Sequence, residues 1–153
     1  MLKNSIWTMI SLADPASLPG TSIMKVMTSF LDIWPVHYVF LDYVEGAGIY
    51  DMFHDREFPI LAVSKFLKYL PQVIQFDWGD FYFFKTRDMD EEKILNLEPY
   101  EKIALSETTL RAVDDGYIYV YTPYKEVAER VKTCGFKIDS IKEGELTSLD
   151  YPF

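Results

Sequence analysis

Residues 108–135 read TTLRAVDDGYIYVYTPYKEVAERVKTCG, and this pattern predicts a strand, a tight loop, a second strand and a helix. A loop of three residues, 114–116, with a positive φ at its final glycine, places the aliphatic side chains of both strands on one face. That face consists of Leu110, Ala112, Ile118 and Val120. The opposite face consists of Thr109, Arg111, Val113, Tyr117, Tyr119 and Tyr121. A two-residue turn would instead force Arg111 into the aliphatic core, so we expect the longer loop.

The helix after this hairpin has clear start and stop signals. Thr122 suits an N-cap, Pro123 suits the first helical position, and Gly135 suits a left-handed C-cap. One apolar stripe at helical spacing consists of Tyr124, Val127, Ala128, Val131 and Cys134. Residues 136–142 alternate weakly and predict a returning strand. The C-terminal unit is therefore predicted to be β-β-α-β.

The first half of the chain predicts helices and strands in irregular order. Residues 2–12 are compatible with a short helix or an opening strand. A helix is predicted from Thr21 or Ser22 to about Ile33, and residues 36–44 predict a strand buried on both faces. Glu45-Gly46-Ala47-Gly48 is predicted to end that strand, and residues 49–58 to form a loop with one helical turn at most.

Later segments complete the predicted fold. Prolines frame a helix over 59–70, and residues 72–77 and 81–86 predict a hairpin around Trp78-Gly79-Asp80. Asp90 begins a short helix, residues 98–107 connect it to the C-terminal unit, and the tail 147–153 returns Tyr151 and Phe153 to the core. Because strands mostly adjoin as hairpins, we expect a single α+β domain over residues 1–153, with helices on a mainly antiparallel sheet.

Composition limits the functional classes. The 153 residues are 49% hydrophobic and 16% aromatic, which is enough for a substantial core. The single cysteine excludes an internal disulfide, and nothing indicates a structural zinc or another cofactor. The N-terminal residues make a poor signal peptide, and no apolar run approaches membrane-spanning length. We expect a cytoplasmic protein that does not bind membranes.

The charge is strongly acidic and unevenly distributed. The net charge is −9, and residues 88–153 carry 15 Asp and Glu against 8 Lys and Arg. An acidic chain repels phosphate, so nucleic-acid binding is disfavoured, whereas encounter with a basic protein is accelerated. The alternative is that the charge serves solubility alone.

The best candidate for catalysis or metal binding is the loop containing Asp51, His54 and Asp55. If this segment is helical, the two aspartates stand four residues apart with the histidine between them, within reach of one metal ion or one proton-transfer site. A small α+β hydrolase or a ligand- or metal-binding domain using this loop is the alternative function. The simpler interpretation is a polar loop that contains these residues by chance.

The remaining feature is a surface beside the hairpin. Tyrosine and arginine are enriched at the energetic centres of protein interfaces, because they bury much area and still offer hydrogen bonds. The predicted contact residues are Arg111, Tyr117, Tyr119 and Tyr121, the loop carboxylates Asp114 and Asp115, and the acidic helix start Asp90, Glu91 and Glu92. The alternative is that a helix covers this tyrosine face and that Asp90–Glu92 only match the helix dipole.

These features predict a non-catalytic acidic binding protein that occludes a basic protein partner. Small immunity proteins and antitoxins that neutralise nuclease-like toxins have this physical character, with carboxylates in place of the phosphates that the toxin binds. No motif ties the chain to one such family, so the prediction depends on charge and surface chemistry alone.

Overall fold

The fold is built on one antiparallel sheet. The computed structural model describes residues 5–152, and within them the sheet has seven strands. In chain order these are β1 (Trp7–Ala13), β2 (Tyr38–Ala47), β3 (Ile60–Ala62), β4 (Gln75–Phe84), β5 (Thr108–Val113), β6 (Tyr117–Thr122) and β7 (Lys137–Gly144). Their order across the sheet is β3-β2-β4-β5-β6-β1-β7, and each neighbouring pair is antiparallel. The predicted α+β class with an antiparallel sheet is confirmed.

Helices connect the strands and pack on both faces of the sheet. Within residues 5–152 they are α1 (Gly20–Thr28), α2 (Tyr50–His54), α3 (Val63–Tyr69), α4 (Glu91–Leu95), α5 (Pro99–Leu105) and α6 (Lys125–Lys132). Single 3-10 turns lie at Leu70–Gln72 and Leu146–Ser148. The order β5, β6, α6, β7 is the predicted C-terminal unit. Gly135 has the predicted positive φ, at 104°, whereas α6 begins at Lys125, later than the predicted Pro123.

The β5–β6 hairpin has the predicted register. Val113 pairs with Tyr117, so residues 114–116 form a three-residue loop. All four aliphatic side chains assigned to one face lie in the larger core: Leu110, Ala112, Ile118 and Val120. The predicted glycine conformation is wrong, because the positive φ values fall on Asp114 (52°) and Asp115 (48°). Aspartate tolerates this region better than most residues, since its short polar side chain can hydrogen-bond locally.

The larger core lies on one face of the sheet, here called the first face. Helices α1, α3 and α6 supply apolar side chains that pack against this face. Phe66 of α3, for example, lies 5.4 Å from Phe81 and 6.5 Å from Phe83 of β4, measured between ring centroids. Each fully buried phenylalanine contributes about 1.5–3 kcal/mol through removal of apolar surface from water. The first face therefore supplies most of the hydrophobic stabilisation.

The second face is covered over only part of its length. Its core consists of Trp7, Met9, Phe40, Ile60, Tyr82, Phe84, Ile94, Ile103, Tyr121, Leu146 and Leu149. Residues of α4, α5 and the C-terminal segment 145–152 form the cover. Two hydrogen bonds fasten it: Tyr121 donates its hydroxyl to the Asp150 carbonyl, and Tyr100 to the Leu149 carbonyl, both at 2.6 Å. Tyr151 packs against this core as predicted, and Phe153 lies outside the described residues.

The hairpin predicted around Trp78-Gly79-Asp80 is wrong. Residues 75–84 form one continuous strand, paired with β2 on one side and β5 on the other. Gly79 lies in the middle of that strand, where an added Cβ atom would stand 2.7 Å from Cζ of Phe81. This glycine therefore permits close packing of an aromatic ring and does not mark a turn.

Other boundaries also differ from the predictions. The helix predicted over 59–70 begins at Val63, because residues 60–62 pair with β2. Helix α1 ends at Thr28, earlier than predicted, and β2 continues through the predicted break to Ala47. Residues 98–107, predicted as a connector, contain α5, whose start is capped by a 3.1 Å hydrogen bond from the Glu98 N–H to Oε1 of Glu101. Of the two alternatives for residues 2–12, the strand describes β1.

Candidate functional site

The uncovered part of the second face lies toward the 114–116 loop. Side chains there belong to the ends of β2, β4, β5 and β6 that meet at the loop. Tyr117 is 39% exposed, and Tyr119 is half-buried, whereas Tyr121, farther from the loop, is fully buried under the C-terminal segment. The tyrosine face is therefore covered at one end and open at the other.

Apart from Tyr119 and Tyr121, the predicted contact residues fall into three groups. Asp114, Asp115 and Tyr117 are exposed beside the open end of the face. Arg111 is buried, with only 3% of its surface exposed, and so lies beneath the cover. The structure places the acidic residues 90–92 elsewhere, at the start of α4, which follows the far end of β4. Asp90 caps α4 by accepting hydrogen bonds from the N–H groups of residues 92 and 93.

Two ion pairs lie side by side on the second face, Arg111–Asp80 fully buried and Lys102–Asp42 buried except for part of the Asp42 carboxylate. Arg111 donates from Nε to Oδ1 of Asp80 at 2.8 Å, and Lys102 donates from Nζ to Oδ2 of Asp42 at 2.6 Å. Asp42 and Asp80 are cross-strand neighbours, so each carboxylate needs its own cation to offset their mutual repulsion. Burial lowers the pKa of Arg111, but the Asp80 carboxylate raises it, and the net shift is upward.

Tyr151 closes the Arg111–Asp80 pair against solvent. Its ring centroid lies 3.5 Å from the guanidinium carbon, and its hydroxyl donates to Oδ2 of Asp80 at 3.0 Å. Burial, followed by the charge of Asp80, raises the pKa of the Tyr151 hydroxyl above its ordinary value. The tyrosine therefore stays protonated and donates its hydrogen bond across the physiological pH range.

A cavity of about 440 Å³ opens where the cover ends. It is lined by Tyr43, Glu45, Trp78, Asp80, Pro99, Arg111 and Tyr151. This volume lies within the range of roughly 300–1,000 Å³ typical of small-ligand sites. Three aromatic rings form much of the wall, and Glu45 is an exposed carboxylate at the mouth.

The backbone at the mouth of the cavity is strained. Tyr43 has a φ of 51° and lies where the register of β2 against β4 shifts, as in a β-bulge. A bulky residue in this conformation costs about 1–2 kcal/mol, and such strain clusters at functional sites. In this conformation Tyr43 is 69% exposed, with Nζ of Lys102 at 5.6 Å from the ring centroid.

The residues that line the cavity were mostly missed by sequence reasoning. Trp78 and Asp80 were assigned to a turn, and Tyr43 and Glu45 to a strand end. One signal was present: a buried apolar strand that contains an aspartate requires a partner for the charge, since an isolated buried carboxylate is very costly. Asp42 and Asp80 both fit that description.

The loop of Asp51, His54 and Asp55 does not form the predicted cluster. Oxygens of Asp55 accept hydrogen bonds from the Tyr69 hydroxyl and the Lys65 ammonium, so this carboxylate is used to hold α2 against α3. Asp51 and His54 are exposed. Across residues 5–152, no group of three or more His, Cys, Asp and Glu side chains is arranged to hold a metal ion. The geometry therefore does not favour the alternative function at this loop.

No protein-family model, no curated protein and no solved structure matches the chain. None of the helices between residues 5 and 152 has the length and hydropathy that crossing a bilayer requires.

Proposed function

We propose that the chain is a non-catalytic binding protein that covers a site on a basic protein, in the manner of an immunity protein or antitoxin acting on a nuclease-like toxin in the cytoplasm. The observation that carries this proposal is the open end of the second face, where exposed aromatic rings lie beside uncompensated carboxylates. We define the acidic aromatic surface as Tyr43, Glu45, Trp78, Asp114, Asp115, Tyr117 and Tyr119.

The carboxylates of this surface are free to bind a cation. Glu45, Asp114 and Asp115 are exposed, and none of them forms an ion pair within residues 5–152. Asp14, a buried aspartate, lies beside the 114–116 loop, because its N–H donates to the Gly116 carbonyl at 2.9 Å. With a net charge of −9, the chain attracts a basic protein over a distance of about one Debye length, roughly 8–10 Å.

The aromatic side chains supply the contact area. Trp and Tyr dominate the energetic centres of protein interfaces because they bury large surfaces and lose little side-chain entropy. Here Trp78 and the tyrosines lie on strands of the sheet rather than in a loop, so we expect little ordering of the backbone when a partner covers them. The carboxylates would fix the partner's orientation and speed its approach.

The experiment compares capture of a partner by matched variants. Tagged wild-type protein should retain one basic protein from native cells, with a 1:1 complex in native mass spectrometry. The variant Glu45→Gln/Asp114→Asn/Asp115→Asn should associate with that protein roughly 10-fold more slowly at low salt, with a flatter salt dependence. Asparagine tolerates positive φ, so the loop conformation is kept.

The matched control is Glu126→Gln/Glu129→Gln/Glu143→Gln, which removes three exposed carboxylates from α6 and β7. Because the net charge changes equally, this variant should retain most of the wild-type association rate. If association is slowed equally in both variants, net charge alone explains the slower rate and the acidic aromatic surface has no special part in it. If the wild type captures no basic protein at all, the proposed function is wrong.

A further inference from the structure

We propose that the cavity beside Tyr43, Glu45 and Trp78 receives an arginine side chain of the basic partner. This inference rests on the proposed function and identifies the chemical group that the partner places at the centre of the contact. It depends on three features: the charge balance of the cavity, the position of the Glu45 carboxylate beside the Trp78 indole, and the strained backbone conformation that leaves the Tyr43 ring exposed.

The charges that line the cavity leave one carboxylate uncompensated. Arg111 and Asp80 neutralise each other at 2.8 Å, and the adjacent Lys102–Asp42 pair is likewise closed at 2.6 Å. Glu45 lines the same cavity, is exposed, and has no ion-pair partner within the described part of the chain, residues 5–152. The cavity is therefore selective for a cation, although its floor contains a buried arginine.

The aromatic walls favour a planar cation. Glu45 and Trp78 are register partners on β2 and β4 at a shift in the register, and both line the cavity. A guanidinium group stacked on the indole would therefore have its N–H groups beside the Glu45 carboxylate. Guanidinium combines a flat face for stacking with a fork of donors for a carboxylate, whereas an ammonium ion offers only a compact charge.

The strained residue gives an independent reason to expect a ligand here. The Tyr43 ring is largely exposed and flanks the mouth of the cavity. Strain of this kind clusters at functional sites, and a second aromatic ring opposite an indole would enclose a stacked cation. The Tyr151 ring is already stacked on Arg111, and Nζ of Lys102 lies 5.6 Å from the Tyr43 ring centroid, so we expect the Trp78 indole to be the main ring that stacks on the ligand and Tyr43 to contribute less.

The test measures binding of small probes to the purified full chain. The probes are N-acetyl-arginine methylamide and its neutral citrulline counterpart, which has nearly the same shape. Trp78 is a suitable reporter because Trp7 and Trp34 are buried. We expect quenching of tryptophan fluorescence by the arginine probe, with a dissociation constant in the millimolar range, and at least 5-fold weaker binding of the citrulline probe.

Variants locate the probe. Glu45→Gln should weaken arginine binding about 5- to 10-fold, and Tyr43→Gly should weaken it about 3-fold. Glu126→Gln, an exposed carboxylate on α6, should leave it unchanged. Calorimetry gives the same comparison for Trp78→Leu, with circular dichroism checking its fold. Equal affinity for arginine and citrulline, or an unchanged constant in Glu45→Gln, would overturn the inference.

The outcome also separates this inference from the proposed function. If the partner is captured equally well by wild type and by Glu45→Gln/Tyr43→Gly, the cavity does not receive its arginine, although the chain still binds a basic protein. If the arginine probe binds as described but no basic protein is captured, the cavity is a cation site and the proposed function fails.

Discussion

Replacing Arg111 by methionine should destabilise the fold far more than replacing a surface arginine. Arg111 and Asp80 are 3% and 4% exposed, and the distance from Nε to Oδ1 is 2.8 Å. Methionine fills much of the same space but leaves the Asp80 carboxylate buried without its cation, while the Tyr151 hydroxyl still donates to Oδ2 at 3.0 Å. An uncompensated buried charge is the main cost of this substitution.

The expected magnitude follows from burial of the pair. Removing one partner of a buried ion pair costs about 3–5 kcal/mol, and for a chain of this size such a loss lowers Tm by roughly 6–20 °C. Arg111→Met/Asp80→Asn removes both charges and keeps an acceptor for Tyr151. We therefore expect the double variant to be more stable than Arg111→Met and to lie within about 2 kcal/mol of the wild type.

The assay is urea denaturation followed by the fluorescence of the buried tryptophans. Arg130→Met is the control, because the Arg130–Asp32 pair is exposed on both sides, at 47% and 64%, and exposed pairs contribute about 0–1 kcal/mol. A loss below about 1 kcal/mol for Arg111→Met, or a double variant less stable than Arg111→Met, would refute the reasoning that burial controls this pair.

Three further predictions concern strain, packing and pH. Tyr43→Gly should be about 1 kcal/mol more stable than Tyr43→Ala in urea denaturation, because both lose the ring and only glycine adopts a φ of 51° without strain. Equal stabilities would contradict the inference that the backbone at Tyr43 is strained. Gly79→Ala should lower the free energy of unfolding by about 1–3 kcal/mol, since its Cβ would meet the buried ring of Phe81 at 2.7 Å. Gly116→Ala should be nearly neutral, because the atom nearest to its Cβ lies at 3.6 Å. Similar losses of stability in the two variants would show that the Phe81 ring moves aside. The hydrogen bond from Tyr69 lowers the pKa of Asp55 below 3.8. The ionised carboxylate therefore contributes its full stabilisation of the fold above that pH, and this contribution is lost as the pH falls further. Urea denaturation between pH 5 and 2 should therefore show a smaller acid-induced loss of stability for Asp55→Asn than for the wild type. Parallel curves of stability against pH for the two proteins would contradict this coupling to the protonation of Asp55.

Alternation of side chains made the C-terminal half of the fold predictable. The register of residues 108–122 follows from keeping Arg111 off the aliphatic face, and the structure has that register. The same kind of reasoning failed at Gly79 and Pro59, where a glycine and a proline are ordinarily signs of a turn or a helix start. Tertiary pairing decided both segments: β5 holds residue 79 within a strand, and β2 pairs with the residues after Pro59.

The site was less predictable than the fold, for a physical reason. Alternation tells which side chains share a face, and it correctly grouped Arg111 with the three tyrosines. It cannot tell how far along that face a cover extends, because the cover consists of α4, α5 and the segment 145–152, and tertiary packing decides where these segments lie on the sheet. Burial of Tyr121 and exposure of Tyr117 therefore depend on contacts that no local pattern encodes.

The distribution of residue types along the second face is the reverse of what stability alone would select. Stability places charges in water and aromatic rings under cover. Here the charges of Asp80 and Arg111 lie under Tyr151, while Trp78, nearer the loop on the strand of Asp80, and Tyr117, beside the loop on β6, are partly in solvent. If the rings were under the cover and the charged residues in solvent, the fold would avoid both burial of charge and exposure of apolar surface. The observed arrangement is explained if the rings are reserved for a partner and the ion pairs hold the strands beneath them in a fixed position.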